Sequence, residues 1–132
     1  MNQFDDVPID VKGFAYRDLV GQDRWESFSV VFGSLTVIGA TSYTGRLRVV
    51  GRQCQFQVQF SAATSIASVA GTDYMNLPMV AVGLSGLATM TNDTTNVAVG
   101  VCHVDVTNSR VYPPTQSASA NTFTICGWYE IG

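Results

Sequence analysis

Hydrophobic and polar positions alternate strictly along residues 53–60, where Gln53, Gln55, Gln57 and Gln59 take turns with Cys54, Phe56, Val58 and Phe60. A period of two describes a strand whose two sides meet different surroundings. One side is suited to a core, and the other is polar yet carries no charge. From Trp25 onward similar short runs succeed one another at 28–32, 35–39, 46–51, 53–60, 65–71, 79–84, 87–90, 96–106, 110–112 and 121–131, separated by Gly, Ser and Thr clusters. β-branched and aromatic residues fill them and helical spacing is absent. About eight to ten short strands at such intervals predict an all-β fold, an antiparallel β-sandwich or jelly roll.

The run 96–106 departs from simple alternation. Val97, Val99 and Val101 are expected to face one way and Ala98, Cys102, Val104 and Val106 the other, so both faces are apolar. The outer face of a sandwich strand is normally wet, and a dry one implies cover by a loop or by a neighbouring subunit. Together with the uncharged glutamine row, this predicts an oligomer whose interface includes Gln53, Gln55, Gln57, Gln59, Val97, Val99 and Val101. Residues 111–122, VYPPTQSASANT, read as the most loop-like stretch of the sandwich and suit an exposed tip or a contact with a neighbour.

Residues 1–26 show neither period. Apolar positions at Phe4, Val7, Ile9, Val11, Phe14, Tyr16, Leu19 and Val20 are interrupted by Pro8, Gly13 and Gly21 before any pattern settles. The expected organisation is an N-terminal arm over 1–26 and one β-sandwich domain over 27–132. A chain of 132 residues is long enough to bury a core without metals or disulfides.

Charge sharpens this division. The arm holds six acidic residues (Asp5, Asp6, Asp10, Asp18, Asp23 and Glu26) and three basic ones (Lys12, Arg17 and Arg24), whereas residues 27–132 hold four of each. The net charge of −3 therefore lies in the arm, and the sandwich is far below the usual density of about a quarter charged residues. Depletion of charge fits a surface hidden against other subunits. There is no basic stripe to suggest nucleic acid. No signal peptide and no membrane insertion are expected, because the N-terminus is acidic and no window approaches the ~18 apolar residues of a span. Cys54, Cys102 and Cys126 sit within apolar strand patterns and read as reduced, buried thiols, an intersubunit disulfide being the alternative.

Candidate chemistry is sparse. His103 and Asp105 share a strand face, a spacing open to an orienting pair or to two metal ligands. Residues two apart on a strand stand about 7 Å apart and seldom bond directly, and no G-x-S-x-G nucleophile motif is present. The acids Asp73, Asp93, Asp105 and Glu130 form no motif for glycoside hydrolysis, and Asn92-Asp93-Thr94 is a chance sequon. The expectation is no catalysis, no metal and no cofactor. A sugar site is the remaining chemical possibility: Tyr74 and Tyr112 lie beside turn sequences where a ring stacks on a pyranose while Asp73, Asn76 or Gln116 bonds its hydroxyls. A subunit rim or the core is the alternative place for these rings and for Trp128 and Tyr129.

Read in order, Trp25-x-x-Phe28, SLTV at 34–37, YTGRLRVVGR at 43–52, FQVQF at 56–60, GTDYMNLP at 71–78 and FTICGWYE at 123–130 form a succession. It resembles the trimeric β-sandwich tip domains of bacteriophage tail fibres and related virion surface proteins, over residues 25–132. The resemblance implies a homotrimer, with the glutamine amides bonding across a subunit seam. It also implies a place on the virion surface after synthesis in the bacterial cytoplasm. A fibre shaft would not fit in the 25 or so residues before the sandwich. The function expected first is therefore a capsid decoration (cement) protein anchored through Phe4, Val7, Ile9, Phe14 and Tyr16 to the major capsid protein. The alternative is a short tail-fibre or tip protein, mounted on a tail or baseplate adaptor, that binds a host-surface glycan through Tyr74, Tyr112 and Gln116.

Overall fold

The structure, a computed structural model, describes residues 24–83 and 86–132. Among them are twelve strands and no helix. In chain order they are β1 (Glu26–Phe28), β2 (Phe32–Gly33), β3 (Thr36–Ile38), β4 (Thr41–Val50), β5 (Gln53–Ala62) and β6 (Ser65–Ser68), then β7 (Tyr74–Asn76), β8 (Leu87–Asn92), β9 (Val97–Asp105), β10 (Arg110–Tyr112), β11 (Gln116–Ser119) and β12 (Thr122–Glu130). Nine form one antiparallel sheet in the order β1-β4-β5-β12-β8-β9-β10-β7-β2, and β11-β6-β3 form a second. The all-β class predicted from the sequence is what the chain adopts. The proposed anchors Phe4, Val7, Ile9, Phe14 and Tyr16 lie outside the described residues.

The large sheet curls until its ends meet. β1 and β2 are its two edges, yet only residues 29–31 separate them in the chain. Four steps of extended chain span at most about 14 Å, far less than nine strands laid flat at about 4.8 Å each. Contacts agree with this limit: Phe32 on one edge strand lies 5.0 Å from the ring of Phe60 on β5 and 5.5 Å from Tyr43 on β4. The connector crosses β4 at Gly45, where a β-carbon would stand 2.6 Å from Val30 Cγ2. Glycine is required there by the close approach.

The inner face of the curl is the core. Alternation on β5 turns Cys54, Phe56, Val58 and Phe60 inward, and β12 contributes Phe123, Ile125 and Tyr129; Met75, Met90, Val104 and Val111 close the interior. Phe56 meets Tyr129 edge-on at 5.9 Å, and Phe60 stacks on Phe123 at 5.7 Å. The small sheet adds Ile66, fully buried.

Four expectations need correction. The run 79–84 has no strand over its described part, 79–83. Its backbone groups bond instead to Tyr129 Oη, Ser109 Oγ and Glu130 O, and Val80 is 74% exposed. The run 28–32 is not one strand, because residues 29–31 carry the crossing from β1 to β2. The third concerns β9, where the three valines do not share one face: Val97 and Val101 are both exposed, but Val97 lines a groove with Val99 and Phe123, and Val99 packs against the core. Met90 pairs with Gly100 and Thr91 with Ala98, so Val99 is the extra residue of a bulge. One inserted residue turns the rest of the strand to the other face. The loop-like stretch 111–122 also contains β11.

Candidate functional site

The outer face of the large sheet carries the glutamine row, flanked by β4 and β12. Arg46 stands opposite Gln57 and Arg48 opposite Gln55. Arg46 donates from Nε (2.9 Å) and Nη2 (2.6 Å) to Gln57 Oε1, and Arg48 Nε donates to Gln55 Oε1 at 2.7 Å. Gln55 Nε2 passes a bond on to Gln53 Oε1 at 3.1 Å, and Gln59 Nε2 donates to Asp93 Oδ2 at 3.3 Å. The ring of Trp25 lies 4.8 Å and 5.0 Å from the two guanidinium carbons. Asp93 also accepts from Thr91 Oγ1 at 3.0 Å and from Thr124 Oγ1. The row is thus an ordered lattice in which the Gln55 and Gln57 oxygens accept from arginine, Gln53 accepts from Gln55 and Gln59 donates to Asp93. Thr44, Arg46, Gln57, Gln59 and Thr124 line a shallow groove of about 220 Å³ upon it.

Beside this lattice the same face becomes apolar. Trp128 on β12 pairs with Leu87 on β8, while in the next row Cys126 pairs with Thr89 and Thr89 with Val101. Leu87 is 51% exposed, Val101 66% and Trp128 38%. The sequence points to Val101 for this surface and offers Trp128 for a subunit rim, but gives no sign of Leu87. Their adjacency depends on pairings among strands remote in the chain.

Farther round the curl, β9, β10 and β7 present a second group. Tyr112 is the cross-strand partner of His103, and Arg110 stands between Asp105 and Asn76. The Arg110 guanidinium carbon lies 3.9 Å from the centre of the Tyr74 ring, and Nη1 donates to Tyr112 Oη at 3.5 Å. Tyr74 and Tyr112 are 5.7 Å apart, and His103 is 6.1 Å from Tyr112. Gly33 makes this possible, since a β-carbon there would fall on the Tyr74 ring.

Asp105 faces Arg110 but its oxygens are used elsewhere. Oδ1 accepts from the Thr107 and Asn108 N–H groups at 3.0 and 3.2 Å, and Oδ2 from Asn108 Nδ2 at 2.9 Å. Asn108 is the main reason its carboxyl is held below the usual range. It serves a turn rather than His103. Of the proposed sugar contacts, Tyr74 and Tyr112 come together and Gln116 does not join them: it lies on β11 and its Nε2 donates to Ile66 O at 2.8 Å. Asp73 is buried and accepts from the Val69 N–H at 2.7 Å, closing a turn. Asn92 Oδ1 likewise caps Thr94 and Thr95, a local role for the sequon.

Among the described residues, no group of three or more His, Cys, Asp or Glu is placed to hold a metal. All three cysteines are free thiols; Cys54 and Cys102 are buried and Cys126 is half-buried on the outer face. Burial pushes the Cys102 thiol up to about 12, with a smaller contribution from Cys126. Gln116, Ser117, Ser119 and Asn121 border an open groove of about 510 Å³ floored by Val97, Val99 and Phe123. Ser119 Oγ there is buried without a partner. Comparisons with protein families, with characterised proteins and with solved structures give no match to this chain.

Proposed function

We propose that this protein is a structural subunit that associates with copies of itself, as a homotrimer, and decorates a bacteriophage capsid. The observation that supports it is the exposed Trp128–Leu87–Val101 cluster, which continues the polar lattice of Gln53, Gln55, Gln57 and Gln59 with Arg46, Arg48 and Asp93. Large apolar side chains grouped on one face, rimmed by hydrogen-bonded polar groups, have the anatomy of a subunit contact. Each ordered amide keeps N–H donors that serve a seam without the desolvation cost of buried ions. The virion setting rests on the resemblance of residues 25–132 to tail-fibre tip domains. In this reading the N-terminal arm carries the attachment to the major capsid protein. A tail-fibre tip that binds a host glycan is the second reading, and the Tyr74–Arg110–Tyr112 group favours it.

The outer face is tested by paired Leu87→Lys and Val101→Lys substitutions. Both side chains point away from the core, so the variant is expected to fold as the parent does. It should nevertheless run as a monomer in light scattering where the parent runs as an oligomer. An oligomer unchanged by two lysines would place the contact elsewhere and remove the observation on which this reading stands.

A further inference from the structure

We infer that Arg110, with Tyr74, Tyr112, His103 and Asn76 around it, forms a binding site for a saccharide that bears a carboxylate. The inference rests on the glycan-binding reading above and deepens it, and the site adjoins the apolar cluster on the same outer face, His103 standing two residues from Val101 on β9.

The placement of the guanidinium defines the site. Arg110 has a carboxylate directly across the ladder, Asp105, yet Asp105 gives its oxygens to Thr107 and Asn108. The guanidinium is instead laid on the Tyr74 ring at 3.9 Å, with one long bond of 3.5 Å to Tyr112 Oη. Stacking on a ring holds the plane of an arginine while leaving its edge donors free. The support beneath is specific: Tyr74 lies over Gly33, where no other residue leaves room for the ring. The result is a half-buried, oriented fork of N–H donors, and a planar carboxylate is the group that fits such a fork.

Its neighbours narrow the ligand. Tyr112 Oη, the exposed His103 imidazole and the exposed Asn76 amide are short polar groups able to donate to and accept from hydroxyls, with a half-exposed Tyr112 ring between them. A polyanion is disfavoured, because Asp105 lies alongside and would repel further negative charge. One carboxylate set among hydroxyls satisfies both conditions.

The test uses the full chain and ligand-observed NMR with four probes: 3′-sialyllactose, glucuronic acid, lactose and acetate. The expected result is saturation transfer to sialyllactose or glucuronic acid, the stronger of the two telling a sialoside site from a uronic acid site, with little transfer to lactose or acetate. Arg110→Met keeps an unbranched apolar side chain over Tyr74 and should weaken the charged sugar by at least about tenfold. Arg110→Lys, which keeps the charge without the fork, should fall between. Folding of both is checked by the near-ultraviolet signal of the buried Tyr129. Failure of both charged sugars to bind the parent chain would overturn the inference. So would equal binding by Arg110→Met, equal binding by lactose, or acetate binding as well as the sugars.

Discussion

Tyr129 shows how much a single side chain organises here. Its ring is fully buried against Phe56, and its hydroxyl both accepts from the Met79 N–H at 2.9 Å and donates to Met79 O at 3.0 Å. These bonds hold a segment that no sheet ladder supports. Tyr129→Phe keeps the packing and orphans two backbone groups, so a loss of about 1–3 kcal/mol in urea unfolding is expected. Cys102 gives a pH signature. Its thiol is raised from 9.0 to about 12 by burial, so the folded state binds its proton more tightly than the unfolded state. That stability is full below pH 9.0 and lost as pH rises toward 12. Cys54 is raised in the same direction, again chiefly by burial. The midpoint of denaturation is therefore predicted to fall as pH climbs above about 9, and Cys102→Ala should flatten that slope.

At the level of elements, legibility tracks the alternation. β5 and the long β12 are evident in the sequence because apolar residues recur at alternate positions, broken in β12 only at Gly127, and both fill the core as that pattern requires. β7 is hidden inside the turn chemistry of GTDYMNLP, and its three residues are fixed by partners at 32–33 and 110–111. β11, QSAS, carries no apolar signal and is defined by pairing with β6. Residues 79–83 mimic a strand because they are apolar, although their backbone bonds to Tyr129 Oη, Ser109 Oγ and Glu130 O rather than in a ladder. The candidate site divides in the same way: Tyr74 and Tyr112 stand out as aromatics near turns, while Arg110 and His103 join them only through the ladder. The bulge on β9 is marked in the sequence by the broken alternation of 97–104 and by Gly100 beside it, and it makes a prediction. Val97→Lys should alter stability by no more than about 0.5 kcal/mol, whereas Val99→Lys, which drives charge toward the core, should cost about 1–3 kcal/mol. Chemical unfolding of the two variants side by side checks the register, and equal costs would refute it.

For the whole molecule, the curl leaves a protein with one inward face and one outward face. The inward face is filled by aromatic and branched residues, and it accounts for the fold. The outward face is ordered by arginine–glutamine bonds and then turns apolar at Trp128, Leu87 and Val101, an arrangement that an isolated subunit in water does not need. The proposed self-association would bury both halves of that surface. The direct measurement is the mass of the full chain in solution, by sedimentation equilibrium over a range of micromolar concentrations. The account predicts a species of three times the 14.2 kDa chain mass, shifting to monomer with lysine at positions 87 and 101. A monomer throughout the range would contradict it.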